Sequence, residues 1–202
     1  SYGGRATPVF TDEMEHLIFS PYWNIPPSIA NEEILPKARG NRAYLVENNF
    51  QIVSHYGPGA EVYDPYSTPL SRVESGELRL REKPGPSNAL GLVKFMFPND
   101  MAIYLHDTPA DHLFDESERD YSHGCIRVER PEDLAVWALS RKAGWDRARI
   151  QDALQNGEWE QVDLDEHIPV YILYFTAFAE DDGTVRFYDD LYDHDADLAD
   201  AL

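Results

Sequence analysis

Short apolar runs separated by turn residues make up most of the hydrophobic pattern of this chain. The runs are rich in β-branched and aromatic residues and are short for helices, which predicts strands. The predicted strands are residues 44–46, 50–53, 93–97, 102–105, 170–178 and 184–188. The last two flank Asp181-Asp182-Gly183, a sequence typical of a tight β-hairpin turn. The chain is therefore predicted to be mainly β.

Helix signals are fewer, and two of them follow each other after residue 130. Pro131 suits a first helical position, and the two acidic residues after it suit the positive end of a helix dipole. Asp146 is a predicted N-cap for a second helix, which Gly157 ends. An earlier helix is predicted from Ser28 to Lys37, after an extended arm rich in proline and aromatic residues. The helices should pack on the strands of one β-rich domain over residues 1–202.

Residues 57–89 form the least regular stretch and contain nine glycines and prolines. A loop of this length inside a compact domain is usually a lid or a binding loop, and otherwise it is disordered. We expect this stretch to be a mobile cover over a functional site. Tyr63 and Tyr66 would then be available to contact a ligand.

The formal net charge of −20 changes the list of possible partners. Nucleic-acid binding needs basic surface for phosphate contacts, and anionic lipid repels an acidic protein, so neither is expected. Residues 180–202 hold nine acidic residues and one arginine. We therefore expect an acidic, solvated and partly disordered C-terminal tail over residues 189–202.

The ends of the chain and its apolar runs bear on location. No apolar run approaches the roughly 18 residues that a transmembrane helix needs. The chain opens on Ser1 rather than Met and has no basic-then-apolar start. We expect a fragment of a longer protein, with any targeting segment outside it.

The candidate chemistry lies in two short segments. The chain has one cysteine, Cys125, which follows His123 and Gly124, and a further histidine, His106, ends a predicted strand. The thiolate is the nucleophilic form of cysteine, and a nearby imidazole can generate it at neutral pH. Gly124 would let an acyl group approach, and the amides of Gly124 and Cys125 could serve an oxyanion.

Two alternatives to a catalytic cysteine remain open at this point. A lone buried cysteine is often only a small hydrophobic residue. A zinc site made by His106, His123 and Cys125 is also possible, because three nitrogen and sulfur ligands resemble a catalytic zinc set. No second cysteine supports such a site, and we predict no metal and no cofactor. Tyr104 and Arg127 are further polar candidates near the cysteine and the strand-end histidine.

The segment Ser122-His123-Gly124-Cys125-Ile126-Arg127-Val128, preceded by a strand-end histidine, resembles the signature of the L,D-transpeptidases of bacterial cell walls. The flanking residues 19–29, 88–91, 104–109 and 169–171 are similar to the larger periplasmic subgroup of this family. The resemblance covers roughly residues 8 to 193. It implies a β-sandwich-like catalytic fold with the cysteine in a groove, and a short capping insertion at residues 57–89.

The resemblance also implies roles for the candidate residues. Cys125 would be the nucleophile, His106 the base, and His123 a residue that shapes the cysteine loop. The remaining candidates would serve the oxyanion or contact substrate: Ser122, Gly124, Tyr104 and Arg127. The family often has Asn at the position of Arg127, so we expect a supporting role for this arginine.

The reaction implied by the resemblance is acyl transfer between peptidoglycan stem peptides. A donor tetrapeptide would acylate Cys125, and an acceptor stem would take the acyl group to give a 3→3 cross-link. Transfer to water (an L,D-carboxypeptidase), to another amine in a 1→3 link, or to an anchored protein are alternatives. A non-catalytic wall-binding module is a further one. The resemblance further implies inhibition by carbapenem-type compounds, a monomeric state, and a location in the periplasm or cell envelope of a bacterium.

Overall fold

The computed structural model describes residues 7–57, 59–117, 119, 122 and 124–201, except for the side chains of residues 197, 198, 200 and 201. The strands are β1 Phe10–Phe19, β2 Trp23–Asn24, β3 Phe50–Val53, β4 Val62–Tyr63, β5 Arg79–Glu82, β6 Val93–Met96, β7 Leu105–His106, β8 Ile126–Arg127, β9 Glu160–Ile172, β10 Ala177–Ala179 and β11 Val185–Phe187. The α-helices are α1 Pro27–Ile29, α2 Leu35–Gly40, α3 Ala43–Glu47, α4 Ser71–Glu74, α5 Pro131–Ala138, α6 Arg147–Gln155 and α7 His194–Ala201. A π-helical turn occupies Ala30–Ile34, and a 3₁₀ helix occupies Asp111–Asp115.

A five-stranded sheet in the order β8-β7-β6-β1-β9 carries the candidate residues. Neighbouring strands in this sheet pair antiparallel, except for β7 and β8, which run parallel. The long pair of β1 and β9 has a register shift between Met14 and His16. The two chemistry-bearing strands are therefore adjacent at one edge of the sheet, although nineteen residues separate them in the sequence.

One face of this sheet is apolar. Leu17 on β1 lies opposite Phe95 on β6 and Val162 on β9, and all three side chains are buried in one core. The same core takes Ala135 from α5 and residues Ile150, Ala153 and Leu154 from α6. Because side chains alternate along a strand, the residues between these ones point to the opposite face. That opposite face carries the candidate site.

Helices α5 and α6 begin where the sequence predicts. Pro131 is the first residue of α5, with acidic residues in its first turn. Asp146 caps α6 by accepting a hydrogen bond from the Arg149 backbone N–H (2.8 Å). Both predictions depended on local capping chemistry, and the structure confirms them.

A second sheet, in the order β2-β5-β3-β4, has its own core with the helical segment α1 to α3. Residues 57–89 contribute β4, α4 and β5 to this unit, and Leu70, Val73, Leu78 and Leu80 belong to its core. The stretch expected to be irregular thus contains two strands and a helical turn. Its role as a cover over the site stays a prediction.

The strand predicted at residues 44–46 is wrong, because helix α3 occupies them. Asn41 accepts a hydrogen bond from the Ala43 N–H through its side chain and so starts a turn before the apolar run. Leu45 is fully buried, whereas Val46 beside it is 46% exposed. The strand begins only at β3, after Asn49, whose φ of 58° breaks the helix. The predicted helix from Ser28 is correct in kind, but α1, the π-helical turn and α2 extend it to Gly40.

Two other predicted strands are shorter or displaced. The strand predicted at residues 102–105 is shorter, and β7 spans only Leu105–His106. Ala102 has a φ of 54°, and the Asn99 side chain hydrogen-bonds to the backbone N–H and carbonyl of Ile103, so these residues form a loop. Residues 170–178 divide between the end of β9 and the start of β10. The predicted hairpin is confirmed: β10 and β11 pair across a turn in which the Gly183 N–H donates to the Glu180 carbonyl (3.0 Å).

The C-terminal tail contains helix α7, so residues 194–201 are helical rather than irregular. Asp190 accepts hydrogen bonds from the backbone N–H groups of His194 and Asp195 at the start of this helix. Acidic residues suit a helix N-terminus, which explains how a charged tail forms a helix. Among the described residues, no helix has the length and apolarity to cross a membrane.

Candidate active site

Three neighbouring strands place basic side chains on the polar face of the five-stranded sheet. Lys94 on β6 lies opposite His106 on β7, and His106 lies opposite Arg127 on β8. Cross-strand partners share a face of the sheet, so the three side chains leave it on the same side. Two residues, Tyr104 and Cys125, precede β7 and β8 closely and complete the cluster.

Cys125 is half-buried beside the loop that precedes β7. Its thiol donates to the Ala102 carbonyl (3.7 Å), and its sulfur also takes hydrogen bonds from the backbone and the hydroxyl of Tyr104. The next residue, Ile126, fixes the segment by donating its N–H to the Tyr104 carbonyl (3.1 Å). The sulfur therefore has a fixed position against Tyr104.

The pKa of the Cys125 thiol reflects opposing effects. Burial raises this pKa, because desolvation disfavours the thiolate. The hydrogen bonds from Tyr104 and the positive charges of Lys94 and Arg127 oppose that rise. The net direction is upward, so the resting side chain is mainly the thiol. A base is required to generate the nucleophile.

His106 has the properties of such a base. Its side chain is only 4% exposed, and burial lowers the pKa of the imidazole to about 4. The charges of Arg127 and Lys94 act in the same direction, while the hydrogen bond to Asp107 opposes them. Nδ1 lies 2.5 Å from the Asp107 carbonyl oxygen, and a carbonyl can only accept, so Nδ1 carries the proton. Nε2 of the neutral ring is then free of a proton and can accept one.

Tyr104 connects the members of the cluster. Its ring meets the His106 ring edge-on at 6.0 Å, and the Lys94 Nζ lies 5.1 Å from the ring centroid. Burial and the neighbouring Cys125 raise the pKa of the Tyr104 hydroxyl, so the group stays protonated as a donor. Tyr104 thus contacts the base, the sulfur and the buried ammonium.

The glycine of the cysteine motif adopts a conformation that side chains rarely take. Gly124 has a φ of 111°. Its N–H donates to the Ser122 hydroxyl (3.1 Å), and its carbonyl accepts from the Thr7 hydroxyl (3.0 Å). The predicted oxyanion donor at Gly124 is therefore bonded to Ser122 in this structure. His123 lies outside the described residues.

Asp107 was not among the predicted site residues, but it anchors the end of β7. Its carboxylate accepts from the backbone N–H groups of Leu92 and Thr108, both at 2.7 Å. The same carboxylate lies against Gly91, where an added Cβ would sit 2.3 Å from an oxygen. Lys94 was also missed. Its signal in the sequence is a lysine inside the apolar run 93–97.

Two adjoining cavities open beside the cysteine. The smaller, of about 270 Å³, is lined by Cys125, Ser122 and Arg127 among others. The larger, of about 770 Å³, is lined by residues at the end of β9 and after it, including several tyrosines, and by residues of the loop before Cys125. Tyr192 and Arg119 line both cavities. The two cavities thus share a wall next to the nucleophile. No cluster of metal-ligating side chains occurs among the described residues; the zinc alternative includes His123, which lies outside them.

Comparison with known proteins gives two matches. The L,D-transpeptidase catalytic domain matches residues 1–172 of this chain. A protein of Haemophilus influenzae, provisionally named as an L,D-transpeptidase, is 34% identical over 195 residues. The alignment covers 96% of this chain and 39% of that protein, so the chain spans well under half the length of this relative.

Proposed function

This chain belongs to the L,D-transpeptidase family, and from that premise we propose that it forms 3→3 cross-links in peptidoglycan through a thioester on Cys125. The observation that carries the proposal is the arrangement of three side chains. Cys125 is hydrogen-bonded to Tyr104, and Tyr104 contacts a buried neutral imidazole, His106. A nucleophile, a donor and a base therefore lie in one cluster.

The first half of the reaction acylates the cysteine. His106 Nε2 accepts the thiol proton of Cys125 as the sulfur attacks the carbonyl carbon of the third residue of a donor tetrapeptide. The tetrahedral intermediate collapses, the bond to the terminal D-alanine breaks, and the imidazolium returns the proton to the leaving amine. A thioester and free D-alanine are the products.

The second half transfers the acyl group. The side-chain amine of the third residue of an acceptor stem attacks the thioester carbonyl, and His106 takes a proton from this amine. The carbon–sulfur bond then breaks, and the proton returns to the sulfur. The amide formed is the 3→3 cross-link, and Cys125 is again a thiol.

The oxyanion of each tetrahedral intermediate needs preorganised donors. Tyr104 is the best placed, because its hydroxyl stays protonated and already bonds the sulfur. The Gly124 N–H would have to leave the Ser122 hydroxyl before it could serve, which gives Ser122 a role in setting the loop. Arg127 lines the smaller cavity and can contact a carboxylate of the stem peptide.

Two cavities that meet beside Cys125 suit a reaction with two stem peptides. The smaller cavity includes the nucleophile, and the larger one provides a separate approach past Tyr192. A hydrolase needs only the first. We therefore favour transfer to an acceptor stem over transfer to water, and we place the activity in the bacterial cell envelope, where peptidoglycan lies. A monomer is sufficient, because one chain supplies the whole cluster.

Incubation with purified disaccharide-tetrapeptide, followed by mass spectrometry, tests the proposal directly. A cross-linked dimer supports it, free tripeptide indicates a carboxypeptidase, and unchanged substrate from folded protein refutes both. Cys125→Ala is the matched control and should give no product. The same variant should form no carbapenem adduct in intact-mass spectra; an adduct at normal yield would refute the assignment of the nucleophile.

The two histidines can be separated by the rate of carbapenem acylation. His106→Ala should slow acylation by about 10²- to 10⁴-fold, the usual effect of losing a general base. His123→Ala should have a smaller effect, because we assign His123 to the shape of the cysteine loop. A near-normal His106→Ala with an inactive His123→Ala would reverse the two roles.

A further inference from the structure

Lys94 is a charged side chain in the interior of the molecule. It is 7% exposed and lies between Val93 and Phe95, which are fully buried. A buried ammonium is costly unless a hydrogen-bonded or anionic partner compensates it. Among the residues that the structure describes, no carboxylate forms an ion pair with Lys94, and burial lowers the pKa of its ammonium to about 8. The cost therefore needs another explanation.

Among the described groups that face Lys94, one can carry a negative charge. His106 on β7 lies opposite it, and His16 on β1 is close enough for the lysine charge to lower its pKa. Neither histidine can become an anion at physiological pH. Tyr104 lies under the ammonium but keeps its proton. Cys125 remains, and it interacts electrostatically with Lys94. Arg127 faces the same sulfur from β8.

We propose that Lys94 is a positioning residue that stabilises the thiolate of Cys125 from the interior of the sheet. The proposal rests on the proposed function in one respect, that Cys125 is the nucleophile. Sheet pairing fixes the backbone of Lys94 opposite the base, and the Tyr104 ring fixes its ammonium. A buried cation in this place favours a negative sulfur over a neutral one, because the local dielectric constant is low.

The same charge acts on the base in a way that supports this reading. Lys94 lowers the pKa of His106, so it keeps the imidazole neutral and able to accept a proton. It also opposes the rise that burial imposes on the pKa of the Cys125 thiol. At pH 7 the ammonium is mostly charged, since its pKa is about 8.

Lys94→Met tests the proposal, because methionine keeps the apolar stem and removes the charge. Lys37→Met is the matched control: its Nζ lies 5.6 Å from the Tyr44 ring, but the side chain is exposed and belongs to the other unit. The probe is alkylation by iodoacetamide followed from low to high pH. Cys125 is the only thiol in the chain, so the reaction reports on it alone.

We expect the alkylation profile of Lys94→Met to move to higher pH, with about a tenfold slower reaction at pH 7, the usual effect of losing one nearby opposite charge. The pKa of His106, followed by NMR of the ring protons, should rise in the same variant. Lys37→Met should change neither. Folded Lys94→Met with an unchanged alkylation profile would overturn the proposal.

A second measurement covers the case in which Lys94→Met does not fold. Electrostatic coupling is reciprocal, so a negative charge at position 125 must raise the pKa of Lys94. Titration of the lysine Nζ-methylene signals by NMR should show a higher Lys94 pKa in Cys125→Asp, which places a carboxylate there, than in the uncharged Cys125→Ser. Equal values would overturn the coupling. Neither measurement needs peptidoglycan. If both give the expected result and the protein makes no cross-link, the proposed function is refuted while the role of Lys94 stands.

Discussion

Replacing His106 with glutamine should make the stability of this protein much less sensitive to acid. The imidazole is 4% exposed, and its pKa is about 4 in the folded protein against 6.5 for a solvent-exposed histidine, as in the unfolded chain. Between these two values the unfolded chain binds a proton that the folded protein does not. The stabilisation is therefore complete above pH 6.5 and is lost as the pH falls through 4.

The magnitude follows from the difference between the two pKa values. A difference of about 2.5 between the two pKa values corresponds to about 3 kcal/mol of unfolding free energy over the pH range from above 6.5 to below 4. About 2 kcal/mol of this is lost between pH 7.5 and pH 5. Both pH values lie above the isoelectric point of about 4.5, so the protein should remain in solution. Such a loss is a large part of the stability of a typical domain.

Urea unfolding of wild-type protein and His106→Gln at the two pH values measures the effect. All other titrating groups are common to both proteins, so they cancel in the difference between the pH dependences. His16→Gln is the control, because the pKa of His16 is also lowered by partial burial and this variant keeps His106. Equal pH dependences in wild-type protein and His106→Gln would refute the buried, neutral state of the imidazole and with it the argument for a ready base.

Three further outcomes can be measured independently. Gly91→Ala should lower the unfolding free energy by about 2 kcal/mol or more, because the new Cβ meets the Asp107 carboxylate and the φ of Gly91 is 61°. Gly144→Ala is the control in the same urea experiment: its φ is 81° but no atom lies near the new Cβ, so it measures the backbone cost alone. Tyr104→Phe should raise the pKa of the cysteine thiol and slow its alkylation at pH 7, because a hydrogen bond to the thiolate is lost; an unmoved profile would contradict this. Truncation after Asp193 should leave carbapenem acylation unchanged, since none of the described side chains of α7 lines either cavity near the nucleophile. A loss of acylation would show that the tail contributes to the site.

Local capping and turn chemistry accounts for the parts of the fold that the sequence predicts well. Pro131 and Asp146 start their helices through interactions within a few residues, and Asp182-Gly183 closes its hairpin in the same way. Residues 44–46 show the opposite case. Their β-forming composition is overridden because Leu45 fills a core that distant segments build, while Asn41 starts a helical turn.

The site was predictable in its chemistry but not in its arrangement. Cys125 and His106 stand out because a lone cysteine beside glycine and histidine, and a histidine at a strand end, are unusual. The parallel pairing of β7 with β8 joins strands that nineteen residues separate in the sequence, and the sequence pattern does not specify the register of such a pair. The contribution of Lys94 follows only once β6 is known to lie beside β7.

Burial has opposite effects on the two groups that must exchange a proton. It keeps His106 neutral and so makes a good acceptor, but it also raises the pKa of Cys125 and makes a poor thiolate. A drier site would strengthen the first effect and worsen the second. Hydrogen bonds from Tyr104 and positive charge from Lys94 act on the sulfur without restoring water to the imidazole. The polar face of the sheet can therefore hold a neutral base and an ionisable thiol together, and we expect the loss of either aid to slow acylation more at neutral pH than at high pH, where the thiol ionises unaided.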